Sequence, residues 1–418
     1  MSEAIGPLIR GEFMRKNSTN RLLAVLVIGW LLLFSFISLQ PLQRTVSAAV
    51  TPDEQGLSQS DVFIRGTDGY HTYRIPALLV TTRGTLLAFC EGRRNSRSDT
   101  GAIDMLVKRS VDGGRSWSNQ EVIWHDDSNT CGNACPIVDQ TTGTVWLLLT
   151  HNLGQDSEKA IGQRRSQGTR TVWVCKSEDG GLTWSKSSEI TKTTKKPDWA
   201  WYTTGPGVGI QLQHGPHGGR LLIPVNYSVQ PDPHRSDMFE YGDHVIHSEN
   251  HGQTWELGGT VPGLGLDEPQ VVELETGNLM MNMRSIYGNL RVVSLSKDAG
   301  QTWSVAWRDE TLIEPPCQAS IRRYTQRPKW KNRRLLFSNP ASPKKRINMT
   351  VRLSYDEGQT WTVSKQVYAG PSAYSCLAAL SDMTIGCLYE RGKADAYEKI
   401  TLARFSLQWL TDGADRVE

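Results

Sequence analysis

Between about residues 61 and 410 the hydrophobic positions fall in short runs or in alternation, not at helical spacing. Examples are LLAFCEG from Leu86, TVWLLLTHN from Thr144, RLLIPVNYS from Arg220, LMMNMRS from Leu279, RLLFSNP from Arg334 and IGCLYERG from Ile385. Runs of this length bounded by Gly, Asn, Asp and Pro predict β-strands joined by turns. No convincing long helix interrupts them, so the pattern predicts an all-β chain.

One turn pattern returns. Ser-x-Asp-x-Gly-x-Ser/Thr-Trp occurs at Ser110–Trp117, Ser177–Trp184, Ser296–Trp303 and Ser354–Trp361, and Ser248–Trp255 carries Asn250 in place of the aspartate. Each copy follows an apolar or alternating segment, as a strand running into a hairpin would. The Asp or Asn can bond backbone N–H groups of its own turn, the Gly permits positive φ, and the Trp supplies an apolar plug. These aspartates therefore read as turn staples and not as acids. The gaps from one serine to the next are 67, 71, 48 and 58 residues, a mean of 61. That spacing suits one four-stranded blade with its loops. A body of about 350 residues then predicts a six-bladed β-propeller, with seven shorter blades as the arithmetical alternative. The last run, Ile400–Leu410, is expected to close the ring on a strand near Val62.

Upstream of this body, basic residues precede an 18-residue apolar run, Leu22–Leu39, and Val46-Ser47-Ala48 follows it. Residues 1–49 are thus expected to be a cleaved export signal, with an uncleaved membrane anchor as the rival reading. Either puts residues 50–418 outside the cytoplasm. Residues 1–48 hold five basic and two acidic side chains, which leaves 41 of each sign in the remainder. A charge-balanced body offers no electrostatic footprint for nucleic acid. Cys131 and Cys135 lack the second ligand pair that a zinc site needs, and small core residues are the favoured reading over a loop staple.

Chemistry is then sought in what does not repeat. Arg74 in Tyr-Arg-Ile-Pro, Arg284 in Met-Asn-Met-Arg and Arg346 in Lys-Arg-Ile-Asn stand in strand-like contexts, where a guanidinium is costly unless paired and its planar fork matches a carboxylate. Together with the boxes, with Gly370-Pro-Ser-Ala-Tyr-Ser375 and with Tyr389-Glu-Arg-Gly392, these elements resemble the exo-α-sialidase family of bacterial and animal-lysosomal type across residues 61–410. The resemblance implies a six-bladed propeller with its active site at the axial end opposite the boxes. It also implies that Arg74, Arg284 and Arg346 grip the sialic acid carboxylate, and that Tyr374 is the nucleophile with Glu268 taking its proton. Asp99 would be the general acid/base, Glu390 the partner that orients Arg74, and Arg93 an additional arginine near the sugar. At Cys131–Pro136 the chain offers Asn133 where some bacterial members carry an aspartate.

Elementary chemistry agrees with those roles. Sialic acid bears a carboxylate on its anomeric carbon, so a carboxylate nucleophile would meet a like charge, and a neutral phenol avoids it. A phenol with a pKa of about 10 needs an adjacent base, and sialidases are the known tyrosine exception among glycosidases. Trp199, Trp201 and Tyr202 are expected either to wall the N-acetyl or aglycone side or to pack in the core. The expected activity is retaining hydrolysis of terminal sialic acid from glycoproteins, glycolipids or oligosaccharides, without cofactor or metal. The competing readings are a carbohydrate-binding propeller without chemistry and a trans-sialidase.

Overall fold

The structure, a computed structural model, describes residues 56–230, 232 and 238–417. The expected export signal or anchor lies outside the described residues. Strand pairing resolves into six antiparallel meanders of four strands, the blades of a β-propeller. The first runs Thr72–Val80, Leu86–Arg93, Ile103–Ser110 and Glu121–Trp124. The second runs Thr130–Val138, Val145–Asn152, Thr171–Ser177 and Ser188–Glu189. In the third, an interrupted inner strand, Tyr202–Thr204 and Ile210–Gln211, precedes Leu221–Val229, Glu240–Ser248 and Glu256–Thr260. The fourth comprises Leu266–Glu273, Leu279–Ser285, Leu290–Ser296 and Trp307–Ile313. The fifth comprises Ser320–Thr325, Arg334–Pro340, Ile347–Ser354 and the first half of Val363–Ala379. The second half of that long strand begins the sixth, which continues through Ile385–Arg391 and Lys399–Phe405 and ends on Leu57–Ile64.

Inner strands of successive blades touch one another around the axis, and the sixth touches the first, so the ring is closed. Closure is achieved by Leu57 pairing with Phe405 and Ser60 with Leu402. The expected pairing near Val62 is therefore present, although Leu407–Leu410 forms a helical turn capped by Ser406 and not more strand. The six apolar runs picked out in the sequence are the second strands, one per blade. Each lies between an inner and a third strand and is buried along most of its length. Packing on both faces explains why they are continuous and not alternating.

Every box sits where a third strand turns into a fourth. In Ser177–Trp184, Asp179 accepts from the Leu182 and Thr183 N–H groups at 2.9 Å each and from the Ser177 and Thr183 hydroxyls at 2.8 and 2.5 Å. The Ser177 hydroxyl in turn accepts from the Gly181 N–H at 2.8 Å. Asn250 reproduces the scheme by donating its amide to Thr254. The tryptophans seal the seams between blades: Trp184 packs edge-on to Phe89, and Trp255 to Trp146. The sixth blade has no box because its fourth strand, Leu57–Ile64, precedes the other three in the chain, so there is no hairpin to staple. All seven cysteines are buried and free, which leaves Cys131 and Cys135 as core residues. Asn226, in the pattern Asn226-Tyr227-Ser228, is wholly buried and inaccessible to glycosylation in the folded body.

Within each meander the inner and third strands run in the same direction. The boxes therefore gather at one axial end, and the starts of the inner strands gather at the other.

The box network holds Asp179 ionised, well below the usual carboxylate range, the Thr183 hydroxyl being the leading cause. A depressed folded-state pKa contributes stability above about pH 4, the unfolded aspartate value, that is lost as pH falls through the lower folded value. Asp179→Ala is expected to cost about 1–3 kcal/mol at pH 7, a deficit that begins to narrow as pH falls below about 4. Asp179→Asn, which can copy Asn250, is expected to keep most of the stability while flattening this pH dependence. Thermal melts between pH 3 and 7 check both.

Candidate active site

Four of the six inner strands share a defect near their starting ends. Ladder register shifts between Arg74 and Ala77, Gly132 and Cys135, Asp267 and Gln270, and Ser372 and Ser375. Within three of these bulges Ile75, Asn133 and Glu268 take left-handed φ values of 62°, 56° and 42°. For a β-branched residue such as Ile75 that conformation is rare and must be held by its surroundings. Pro76 and Pro269 follow two of the kinks, where a missing N–H costs no ladder bond. The bulges re-aim side chains toward the axis.

There a cavity of about 420 Å³ opens, lined by Arg74, Arg93, Asp99, Glu268, Arg284, Arg346 and Tyr374 among others. Those are seven of the eight residues singled out in the sequence. The eighth, Glu390, is fully buried behind them. Its carboxylate accepts from Arg74 Nε at 2.7 Å, from the Ile75 N–H at 2.9 Å and from the Tyr374 N–H at 3.1 Å. One residue thus holds the first arginine, the strained kink and the tyrosine together.

The Tyr374 hydroxyl donates to Glu268 Oε1. Glu268 Oε2 accepts from Arg284 Nη1 at 2.7 Å, and Asp267 stands 3.3 Å from the same nitrogen. Burial, then the neighbouring Glu268 carboxylate, pushes the Tyr374 phenol well above its ordinary pKa, against the pull of Arg284, Arg346 and Arg74. The resting phenol is therefore neutral. Burial also raises Asp267, with Arg284 opposing and Glu268 adding to the rise. Arg346 differs from the other two arginines of the set. Its donors go to the Tyr397 hydroxyl and the Pro316 carbonyl, each at 2.8 Å, and it has no ion-pair partner among the described residues. Its charge is the one left to meet an incoming anion.

Asp99 lies on the irregular segment after Leu86–Arg93, with its side chain 63% exposed. It pairs with Arg93 at 2.7 Å and faces Arg74 at 3.7 Å. Burial on the cavity side raises its pKa, but Arg93 and then Arg74 outweigh that and hold the carboxyl below its usual range. The two arginines therefore keep Asp99 ionised.

Several residues of the cavity escaped sequence reasoning. Glu91 receives Arg93 Nε and Nη2 at 3.0 and 2.7 Å, and its Oε1 accepts the Asn133 N–H at 2.9 Å. The Tyr397 ring lies 4.1 Å beneath the Arg74 guanidinium. Arg170 donates to Asn133, so the amide that replaces an aspartate there is engaged by a neighbouring cation. The Glu91-Gly92-Arg93 alternation was a usable signal for the first; nothing local marks the others. The aromatic triplet divides. Trp201 walls the cavity under Arg170, at 4.0 Å, whereas Trp199 stacks on Tyr227 at 3.9 Å and Tyr202 is core.

A family profile described as BNR repeat-like domain matches residues 84–387. The chain is 34% identical to a sialidase of Micromonospora viridifaciens over 409 residues, 95% of this chain and 61% of that protein. It is 30% identical to an exo-alpha-sialidase of Arthroderma benhamiae over 378 residues, 82% of this chain and 86% of that protein. Among solved structures, Hadza microbial sialidase Hz136 superposes with a TM-score of 0.73 at 29% identity, covering 84% of this chain and 69% of that one. The chain spans about three fifths of the length of the Micromonospora relative.

Because Arg346 carries the uncompensated charge, Arg346→Ala is expected to weaken binding of a carboxylate-bearing sugar by about 2–5 kcal/mol. Arg346→Lys should recover little, since an ammonium lacks the fork. Calorimetric titration with free sialic acid measures both; wild-type affinity in the two variants would remove Arg346 from the site.

Proposed function

The chain belongs to the sialidase family, and from that premise we propose that it is a retaining exo-α-sialidase that hydrolyses terminal sialic acid from glycoproteins, glycolipids or oligosaccharides. The observation that carries the reading is the Tyr374 hydroxyl on Glu268, set among Arg74, Arg284 and Arg346.

In this reading the three arginines receive the substrate carboxylate and bring the anomeric carbon to the phenol. The Tyr374 oxygen attacks that carbon as Glu268 takes its proton, and the bond to the aglycone oxygen breaks. Asp99 delivers a proton to the departing oxygen. Asp99, held ionised by Arg93 and Arg74, must leave Arg93 and gain a proton as substrate binds, and its place on an irregular, exposed segment favours such a shift. Asp99 then takes a proton from water, whose oxygen attacks the anomeric carbon from the vacated side. The carbon–tyrosine bond breaks, the phenol recovers its proton from Glu268, and two inversions amount to net retention. Trp201 and Arg170 form the wall on the far side of the sugar. No step calls for a metal or cofactor. The apolar run Leu22–Leu39 supports export, with the active body outside the cytoplasm whether the segment is cleaved or kept as an anchor.

The test compares two substrates. The purified protein is expected to release sialic acid from both sialyl-lactose and a fluorogenic aryl sialoside. Asp99→Ala should lower kcat/KM on sialyl-lactose by about 10²–10⁴-fold. It should lower kcat/KM on the aryl sialoside far less, because that leaving group departs with little protonation. Equal losses on both would remove Asp99 from the acid role; no turnover of either by the wild type would overturn the activity.

A further inference from the structure

A second cavity, of about 320 Å³, opens at the box end of the axis and shares no lining residue with the first. It is bounded by the far ends of the inner strands, with Leu79, Ile137, Val271 and Arg322 from four different blades. Leu79, Ile137 and Val271 give it an aliphatic wall there, and Arg322 lines it beside them.

Arg322 has no hydrogen-bond or ion-pair partner for its side chain among the described residues. Its neighbour Arg323 commits both terminal nitrogens, to Glu357 at 2.8 and 2.6 Å and to the Glu273 carbonyl at 3.1 Å. The one carboxylate that lines the cavity, Glu273, already accepts the Gln213 and His214 N–H groups at 2.7 and 3.0 Å, with His214 Nδ1 at 3.2 Å. At the mouth, Lys329 lies over Trp330 and likewise has no carboxylate partner among the described residues. Gln326 donates to Gln213 Oε1 at 2.6 Å, which leaves the Gln213 amide N–H groups available. Cations thus outnumber the free acceptors, and the half-buried Arg322 has no counter-charge among the described residues.

A guanidinium partly withdrawn from water keeps its proton, and an anion bound to it offsets the hydration it has lost. Burial pulls the Arg322 pKa below its ordinary value, only partly offset by the Cys376 thiol. The planar fork suits two oxygens of one anion better than a spherical halide.

We propose that this axial cavity is a binding site for a small oxyanion, a carboxylate or a phosphate group, gripped by Arg322 with Lys329 at the entrance. An anion held there neutralises the inner strand of the fifth blade where it meets the aliphatic ends of the others. It stabilises the folded ring by mass action and leaves the chemistry at the opposite end untouched.

The full-length protein is titrated with inorganic phosphate, and separately with acetate, against sodium chloride at matched ionic strength, by calorimetry and thermal melting. A saturable rise in Tm with phosphate or acetate, beyond the chloride response, is expected, and the tighter of the two identifies the class. Arg322→Met should weaken that binding by about 30-fold or more, and Lys329→Ala by about two- to fivefold, both with unchanged turnover of substrate. Should Arg322→Met not fold, Arg322→Lys keeps the charge without the fork and should still lose most of the affinity. A chloride response of equal size, no saturable response in the wild type, or undiminished affinity in the Arg322 variants overturns the site.

Discussion

The Glu390 carboxylate is the constraint on which the site depends. It is fully buried, touches no solvent, and its two oxygens serve Arg74 Nε and the backbone N–H groups of Ile75 and Tyr374. Those residues belong to the first and sixth blades, which meet where the ring closes. A buried charge of this kind is tolerated because its partners compensate it, and losing one side of such a cluster commonly costs about 3–5 kcal/mol. The interaction therefore does two things at once. It pins the left-handed kink at Ile75, and it orients the arginine fork and the phenol that the kink brings to the axis. A second layer supports it: Gln318 accepts the Ser375 N–H at 3.0 Å and donates to the Pro206 carbonyl, as Gln270 does at 3.1 Å.

Charge in the cavity is arranged by degree of compensation. Arg74 and Arg284 are neutralised by Glu390 and Glu268, while Arg346 relies on a hydroxyl and a carbonyl. An incoming carboxylate thus meets one unpaired cation flanked by two whose positions are already fixed. Pre-set geometry of this sort lowers the ordering cost of binding. Asp99 is the exception, held by Arg93 and Arg74 on an exposed segment. A ligand carboxylate competes for the same Arg74, so binding and release of Asp99 are coupled through that guanidinium.

Local chemistry was legible in the chain and long-range chemistry mostly was not. Each box closes its bonds within a few residues, so Ser177, Asp179, Gly181 and Thr183 declare their hairpin by spacing alone. The mean box spacing led to six blades, and the absent sixth box follows from the closure by Leu57–Ile64. The eight residues picked out by motif context gather at one place, seven lining the cavity and Glu390 buried behind it. Asp267, Tyr397 and Arg170 were missed because their partners arrive from other blades or loops and no short pattern marks them. The same limit hid Arg322, which in sequence is one more basic residue in Ser320–Thr325. Trp199, Trp201 and Tyr202 read as one unit, but Trp199 stacks on Tyr227 and Tyr202 is core, so only Trp201 was left to the cavity wall.

The central claim is that Tyr374, held by Glu390 and deprotonated by Glu268, forms the bond to the sugar. A fluorinated sialic acid that forms its enzyme adduct quickly and loses it slowly, followed by peptide mass mapping, interrogates that bond directly. The account predicts one sialyl adduct on the peptide containing Tyr374, absent from Tyr374→Phe although the variant folds and still binds sialic acid. An adduct on Glu268 or Asp99, or normal turnover by Tyr374→Phe, would contradict it.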